Sequence, residues 1–385
     1  MTYNTQHRTR TVRFSSWGLV TKWSLIICIT IALVYLMPAL LNTSTNDLPS
    51  LGAPWRLKMS LIHEKVPTLH VYYLKNHKTA STTVFSILAE YCRANELTPL
   101  LPVGAHINQR PPLHPKQLRL DPKIQFYDMV YHHHVYSDQI FRFLHNDTFK
   151  FTTLREPFRH FVSSFTYFRK FNMNYLTQIN STTPLKTFLE NPKKYETRGY
   201  SSYTNNRQSM DLGYNLSHPF DDTSYIAYFI QQTEKRFDLI LITEYFNESL
   251  VLLKRKLNWK TGDILYYKKQ ECKESTEAVA LATQLEKEQH KSFSTADIGL
   301  YTYFLGVFKG LVSKEVDLQG EVEEFQAVLE KVYDFCDRVD SPDSRLVVPV
   351  GRWSDQVDLF HSKCKWLKLD EIRFTQHFQR KQIRG

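Results

Sequence analysis

A short polar segment between an apolar run and a helical pattern has the residue types needed to bind a phosphate or sulfate group. The run from Thr68 to Leu74 is rich in Val, Tyr and Thr, which predicts a strand, and apolar residues repeat at helical spacing after Thr83. The segment therefore lies at a helix N-terminus, where open N–H groups and the helix dipole favour an anion. We call residues 75–83 the anion loop; its predicted ligand-binding residues are Lys75, His77, Lys78, Thr79, Ala80, Ser81, Thr82 and Thr83.

The anion loop differs from the nucleotide-binding loop of ordinary P-loop proteins. The pattern Gly-x-x-x-x-Gly-Lys-[Ser/Thr] is absent from it. Hydroxyl groups and one lysine, Lys78, must then replace the flexible glycines and the metal-binding hydroxyl of those proteins.

A second candidate phosphate-binding group follows the strand-like segment from Phe149 to Leu154. Arg155 lies where this strand ends, and Pro157 suits the first turn of the next helix. In that helix the apolar residues from Phe158 to Phe168 repeat at helical spacing and form the core face, which turns Ser163 towards a ligand. A guanidinium and a hydroxyl on neighbouring turns form a clamp for phosphate oxygens. The alternative is a salt bridge from Arg155 to an acid, with Ser163 solvated.

Together the two motifs resemble the 5′-phosphosulfate and 3′-phosphate sites of Golgi sulfotransferases. Four stretches narrow the resemblance to the galactose 3-O-sulfotransferase family. They are His77-Lys78-Thr79-Ala80-Ser81, Leu154-Arg155-Glu156-Pro157, the stretch from Asn206 to Gly213 that ends Asp211-Leu212-Gly213, and Thr243-Glu244-Tyr245-Phe246-Asn247-Glu248-Ser249-Leu250-Val251-Leu252-Leu253. The resemblance runs from about Val71 to beyond Trp259.

Membership of that family implies a P-loop-NTPase-like sulfotransferase fold, the donor 3′-phosphoadenosine 5′-phosphosulfate (PAPS) and a β-galactose acceptor on a glycolipid or glycan. On this resemblance Lys78 contacts the phosphosulfate and stabilises charge on the bridging oxygen. Residues 79–83 donate to the 5′-phosphate, while Arg155 and Ser163 hold the 3′-phosphate. Sulfuryl transfer depends mainly on positioning and charge stabilisation, so this chemistry requires no metal.

The acceptor hydroxyl needs a general base, and histidine is the commonest choice, with Glu or Asp as competitors. The run Tyr131-His132-His133-His134 offers candidates, of which we favour His133 because the family carries a histidine near this point. A buried structural histidine is an equally good interpretation of His133, and His77 is a second candidate base. Alternate residues of a strand face opposite sides, so the run makes a poor three-ligand zinc site.

The uncharged run 23–41 is close to the ~20 residues needed to cross a hydrocarbon layer, and no Ala-x-Ala-like cleavage site follows it. It predicts an uncleaved membrane anchor. Basic residues concentrate before the run, so the positive-inside rule places the N-terminus in the cytoplasm and the bulk of the chain in the lumen. This agrees with the Golgi type II topology that the resemblance implies. Five Asn-x-Ser/Thr triplets are candidate glycosylation sites: Asn42, Asn146, Asn180, Asn215 and Asn247.

Four cysteines lie beyond the predicted anchor, an even number in an oxidising compartment. They allow two disulfides in three connectivities, and buried free thiols are the alternative. These cysteines are Cys92, Cys272, Cys336 and Cys364.

The 385-residue chain carries a formal net charge of +10 and is 42% hydrophobic, which supports a folded core and suits an anionic ligand. Nucleic acid is a poor candidate partner because of the lumenal placement and the missing zinc-finger and RNA-binding signatures. Strand-like runs alternate with helical ones, which predicts an α/β fold with a mostly parallel sheet flanked by helices.

We divide the chain into a cytoplasmic tail (1–22), the membrane anchor (23–41), a lumenal stem (42–66), the catalytic domain (67–350) and a basic C-terminal tail (351–385). Within the domain we expect residues 172–222 to be irregular in part, either as a cover for the substrate cleft or as a mobile surface insertion.

Two other functions stay open at this point, as does the oligomeric state. One is a Golgi sulfotransferase with a different carbohydrate acceptor, since acceptor choice depends on loops without a readable code. The other is a lumenal glycan-binding protein with the fold but not the activity, against which the intact Lys78, Arg155 and Ser163 argue. A lumenal kinase is remote, because its Gly-rich loop and Asp-Phe-Gly motif are missing.

Overall fold

The structure, a computed structural model, describes residues 66–384 except for 105, 109, 268–272, 339–340 and 342. The predicted cytoplasmic tail, the membrane anchor and nearly all of the stem lie outside these residues. Among the helices that are described, none is both long enough and apolar enough to cross a membrane.

The strands, in chain order, are β1 (Val71–Leu74), β2 (Leu101–Pro102), β3 (Leu118–Arg119), β4 (Met129–Val130), β5 (Phe149–Leu154), β6 (Leu239–Ile242), β7 (Arg345–Val348) and β8 (Val357–Phe360). A central parallel sheet has the strand order β4-β1-β5-β6, while β2 with β3 and β7 with β8 form antiparallel pairs. The predicted parallel sheet is confirmed. Every residue of β1 and β6 is buried, as expected where helices cover both faces.

The helices, in chain order, are α1 (Ser81–Ala94), α2 (Pro157–Lys170), α3 (Asn174–Thr177), α4 (Pro184–Glu190), α5 (Pro192–Tyr195), α6 (Arg207–Asp211), α7 (Thr223–Arg236), α8 (Phe246–Leu257), α9 (Lys273–Leu281), α10 (Gln284–Phe293), α11 (Thr295–Val312), α12 (Leu318–Arg338), α13 (His361–Leu367) and α14 (Glu371–Arg384). In α1 and α2 the residues that the helical spacing assigns to the core face are buried. Burying one large apolar side chain contributes about 1.5–3 kcal/mol, so these two faces hold the helices on the sheet.

The sheet brings the two predicted motifs together. Strands β1 and β5 are parallel neighbours, with Leu74 opposite Thr152, so their carboxyl ends meet at the same edge. The anion loop leaves β1 at this edge, and Arg155 follows the last residue of β5.

Residues 172–222 form the short helices α3 to α6, joined by turns and irregular segments. Leu176, Phe188 and Tyr203 from this stretch are buried in one hydrophobic cluster with Phe161 and Phe165 of α2. These buried side chains anchor the stretch to the domain, which argues against the interpretation as a mobile surface insertion.

Residues 351–384 differ from the basic tail that their charge pattern predicts. They form β8, α13 and α14, and both helices pack against α1. Leu367, Phe374 and Phe378 are buried in this contact, because an amphipathic helix buries its apolar stripe wherever a partner surface is available. A disulfide between Cys336 and Cys364 joins α12 to α13, Cys92 is a buried free thiol, and Cys272 lies outside the described residues.

Candidate active site

The anion loop enters α1 through an unusual backbone. Lys78 and Ala80 adopt left-handed φ angles of 57° and 55°. Helix α1 then begins at Ser81 without a side-chain cap and without an acidic residue in its first turn. Its N-terminus therefore keeps the partial positive charge that attracts an anion.

Two side chains from the second motif hold the backbone of the anion loop. Arg155 donates from Nη1 to the carbonyl oxygen of Lys78 at 3.1 Å. His160, one turn into α2, donates from Nε2 to the carbonyl oxygen of His77 at 2.9 Å. The structure thus brings the loop and the start of α2 into direct contact.

The ammonium of Lys78 lies over α2. It is 3.7 Å from the ring centre of Tyr167, within the range of a cation–π contact. Tyr167 and Ser163 are four residues apart and so share one face of that helix. Ser163 is only 8% exposed, so the alternative in which its side chain is solvated does not describe it.

Lys75 does not face open space at the helix N-terminus, contrary to its predicted role as an anion-binding residue. It is 2% exposed, and its ammonium lies 2.9 Å from Oε1 of Glu371. The same ammonium donates to Nε2 of His133 at 2.8 Å. A buried charge needs such partners, which satisfy Lys75 within the protein.

The other predicted loop residues divide into two groups. Thr79 is fully buried, and its hydroxyl donates a hydrogen bond to a backbone carbonyl within the loop. The carbonyl oxygen of Ala80 accepts a hydrogen bond from the backbone N–H of Thr83. Ser81 is buried at the start of α1, whereas Thr82 and Thr83 are half-buried. The first group shapes the loop, and Thr82 and Thr83 keep surface that a ligand can reach.

His77 is held by a buried carboxylate. Oδ2 of Asp211 accepts hydrogen bonds from the backbone N–H of His77 at 3.0 Å and from its Nδ1 at 2.7 Å. The proton of the neutral ring is therefore on Nδ1, and the lone pair is on Nε2. Arg207 pairs with the other oxygen of Asp211 at 2.7 Å. This arrangement orients an imidazole to accept a proton at Nε2.

His133 stacks on His77, with ring centres 4.1 Å apart. Its Nδ1 donates to the carbonyl oxygen of Lys75 at 2.7 Å, so its Nε2 is the atom that accepts from the Lys75 ammonium. The lone pair that a general base needs is thus already used in His133.

The three consecutive histidines do not converge. The hydroxyl of Thr375 lies 3.0 Å from Nε2 of His132, and the hydroxyl of Tyr72 lies 2.8 Å from Nε2 of His134. His133 contacts Lys75, so each of the three rings has a different partner. The arrangement agrees with the interpretation of the run as a poor zinc site.

Burial sets the charges in this site. It lowers the pKa of His77 to about 4, although Asp211 acts in the opposite direction. Burial and the neighbouring Lys75 hold the pKa of His133 well below its usual value. For Asp211, burial raises the pKa, but Arg207 and His77 outweigh burial and leave it lowered. At neutral pH both stacked rings are therefore neutral and Asp211 is charged.

Sequence reasoning missed four residues of this site. Asp211 lies in a stretch that carries the family resemblance but receives no role from the sequence, and Glu371 lies in the predicted basic tail. Tyr167 could have been found from its spacing of four residues from Ser163 on one helix face. For His160 the only signal was its place one turn after Arg155, on the helix whose core face was already assigned.

The comparison with known proteins agrees with this geometry. The family model for galactose-3-O-sulfotransferase matches residues 5–343. Mouse galactose-3-O-sulfotransferase 2 is 29% identical over 284 residues, which cover 70% of each chain. Mouse galactose-3-O-sulfotransferase 3 is 31% identical over 275 residues, covering 69% of this chain and 63% of its own. Human galactosylceramide sulfotransferase is 33% identical over 207 residues, covering 52% and 48%.

These matches confirm the resemblance that the motifs indicate. The matched region of the family model extends beyond both ends of the segment that contains the anion loop and Arg155. The chain belongs to the galactose-3-O-sulfotransferase family and is a carbohydrate sulfotransferase.

Proposed function

We propose that this protein transfers the sulfuryl group of PAPS to the 3-hydroxyl of galactose on a glycolipid or a glycoprotein glycan. The observation that carries the proposal is the hydrogen bond of 3.1 Å from Arg155 to the backbone of Lys78. A donor with a phosphosulfate at one end and a ribose phosphate at the other needs one cation for each end, and this contact brings together the two residues that would supply them. The names of the relatives, which specify galactose and galactosylceramide, support the acceptor class.

In this proposal the donor lies along the N-terminus of α1. Lys78 meets the phosphosulfate and stabilises the negative charge that develops on the bridging oxygen as the S–O bond breaks. Arg155 and Ser163 contact the 3′-phosphate, the group that distinguishes PAPS from ordinary nucleotides. The open N–H groups of the first helical turn face the 5′-phosphate.

We propose His77 as the general base, in preference to His133. The galactose hydroxyl attacks sulfur, the bond from sulfur to the phosphate oxygen breaks, and the hydroxyl proton passes to Nε2 of His77. Asp211 stabilises the imidazolium that forms, because its carboxylate accepts from Nδ1. His133 supports the ring of His77 by stacking.

An open cavity of about 650 Å³ on the side of His106 supports an acceptor route. His106 lines the cavity, and its ring meets the ring of His133 edge-on at 5.4 Å. Other lining residues supply hydrogen-bonding groups of the kind that bind sugars: Asn108, Arg110, Lys116 and Gln117. We propose that the terminal galactose enters from this side.

We further propose a type II protein of the Golgi membrane with a lumenal catalytic domain. The run 23–41 and the basic residues before it support this topology. The disulfide between Cys336 and Cys364 supports an oxidising compartment. Asn146, Asn180 and Asn215 are exposed, as glycosylation requires. Protease protection of the intact Golgi membrane tests the topology, and cleavage of the domain without detergent would contradict it.

Transfer from radiolabelled PAPS tests the proposed reaction. The full-length chain in detergent is incubated with a β-galactoside, its 3-O-methyl derivative and a matched β-glucoside. We expect label on the β-galactoside alone, because the methyl group blocks the accepting hydroxyl. Label on the 3-O-methyl derivative would contradict position 3, and label on the glucoside alone would contradict the sugar. A reaction without enzyme and a reaction with Lys78→Ala supply the blanks.

A further inference from the structure

The first residue of the C-terminal helix reaches the anion loop. Helix α14 lies beyond residues 5–343, to which the family model extends. Nevertheless, Oε1 of Glu371 is 2.9 Å from the ammonium of Lys75, which directly follows β1. The hydroxyl of Thr82 is a second partner of the Glu371 carboxylate. One acidic side chain from the end of the chain thus contacts both sides of the loop.

The helix that carries Glu371 is firmly attached to the domain. Phe374 and Phe378 are buried, and the hydroxyl of Thr375 lies 3.0 Å from Nε2 of His132. The disulfide at Cys364 fastens the preceding helix, α13. Glu371 is also the first residue of its helix, where the helix dipole favours the negative charge of its carboxylate.

Lys75 transmits this contact to the reacting groups. Its ammonium donates to Nε2 of His133 at 2.8 Å, and its carbonyl oxygen accepts from Nδ1 of the same ring at 2.7 Å. Both ring nitrogens of His133 are therefore engaged by a single residue, which sets the orientation and the tautomer of the ring. That ring stacks on His77 at 4.1 Å.

Lys75 needs Glu371 to keep its charge. Burial lowers the pKa of Lys75, and Glu371 acts in the opposite direction. Removing the carboxylate while leaving the ammonium buried leaves an unpaired charge, which is among the most costly changes in a protein interior. The ammonium must then lose its proton or turn towards PAPS, and either change weakens the hydrogen bond that holds His133.

We propose that Glu371 is a positioning residue of the sulfuryl-transfer site. Its carboxylate holds the Lys75 ammonium against His133 and so keeps the ring of His77 in place for proton transfer. The inference rests on the proposed function in one respect, the role of His77 as the base. It assigns to α14 a part in the reaction. Glu371 itself acts through Lys75 and contacts neither substrate.

Glu371→Gln in the full-length protein tests the proposal, with Asp370→Asn as the matched control. Asp370 is the neighbouring acid at the same helix end, is exposed and pairs with Arg373, and Asn still caps a helix. For Glu371→Gln we expect kcat to fall about 10- to 100-fold, the usual effect of losing an orienting partner, while KM for PAPS changes less than about twofold. We expect the control to match the wild-type protein.

The pH profile separates positioning from a general loss of structure. Without Glu371 the pKa of Lys75 falls further, so Lys75 loses its proton at a lower pH than in the wild-type protein, and the defect in kcat grows as pH rises. Glu371→Asp keeps the charge and should restore the wild-type shape of the profile at a lower kcat. The titratable groups that face Lys75 from the surrounding elements are Glu371, Asp211, His77, His106, His132 and His133.

A double-mutant cycle decides whether Glu371 acts through Lys75. Adding Glu371→Gln to Lys75→Met should cause no further loss in kcat, because the group that Glu371 holds is already gone. Additive losses, or a Glu371→Gln protein with wild-type kcat and pH profile, would overturn the inference. If Glu371→Gln does not fold, a wild-type kcat and pH profile in Lys75→Met would overturn it as well. A wild-type protein that transfers no label from PAPS would contradict the proposed function instead.

Discussion

Nδ1 of His77 lies 2.7 Å from Oδ2 of Asp211, although 134 positions separate the two residues in the chain. The contact joins the anion loop to the end of α6. It leaves Nε2 as the proton-accepting atom of His77, which directly precedes Lys78 in the chain, the residue that we propose meets the donor. Several expected outcomes depend on this pair and on its neighbours.

His77→Ala should lower kcat about 10²- to 10⁴-fold, because it removes the proposed base. Added imidazole should restore part of the activity, since a free base can occupy the vacated space. Asp211→Asn should also lower kcat strongly, because an amide can stabilise the wrong tautomer of the ring. The measurement is the initial rate of label transfer from PAPS. Imidazole rescue of His133→Ala, without rescue of His77→Ala, would show that His133 is the base.

The pH dependence of kcat/KM should follow the lowered pKa of His77. The active form is the neutral ring, and burial lowers its pKa to about 4. Activity should therefore stay level as pH falls from 7 to about 5.5 and decline only as pH approaches 4. Below pH ~6.5 the unfolded chain takes up a proton that folded His77 refuses, so stability also falls, and circular dichroism must accompany each rate. An acid limb centred near pH 6.5 with the fold intact would contradict this account.

Arg155→Lys should weaken discrimination for the 3′-phosphate. Lysine keeps the charge but loses the planar fork that can bind two phosphate oxygens while also donating to the carbonyl oxygen of Lys78. A lost charge-assisted hydrogen bond costs about 1.5–3 kcal/mol, so KM for PAPS should rise about 10- to 100-fold. Inhibition by adenosine 3′,5′-bisphosphate and by adenosine 5′-monophosphate measures the discrimination directly. An unchanged ratio of the two inhibition constants would remove Arg155 from the 3′-phosphate site.

Lys78→Ala should lower kcat about 10²- to 10³-fold while the protein stays folded, because the lost charge acts on the departing phosphate. Lys186→Ala, at an exposed position on α4, is the control for removal of a positive charge. Tyr167→Phe should keep nearly full activity, since a phenyl ring still supports the ammonium, whereas Tyr167→Ala should lower it. Equal activity of the Lys78 and Lys186 variants would contradict the proposed role.

Removal of the disulfide should destabilise the domain. The two cysteines are 28 positions apart, and closing a loop of that length in the unfolded chain contributes about 3–4 kcal/mol. Cys336→Ala combined with Cys364→Ala should therefore lower the free energy of unfolding by about that amount, measured by urea denaturation. Dithiothreitol should lower the stability of the wild-type protein and leave the double variant unchanged. Equal effects of dithiothreitol on both proteins would show that another group is responsible.

The sequence alone determined the elements that carry the donor site. Each of these elements is set by a periodic pattern of apolar residues that lie close together in the chain. The elements are the strand before the anion loop, the strand before Arg155, and the apolar faces of α1 and α2. Parallel pairing of those strands then follows from their alternation with helices, and it is enough to bring Arg155 to Lys78.

Only the tertiary structure decided which polar groups meet inside the site. No local pattern predicts that Asp211 holds His77, or that Glu371 from a basic C-terminal segment pairs with Lys75. Both pairs form because packing buries a charged or polar group, and a buried charge must find a partner wherever the chain can supply one. The lone pair of His133 is occupied for the same reason, so the choice between two histidines needed distances in space rather than residue types in order.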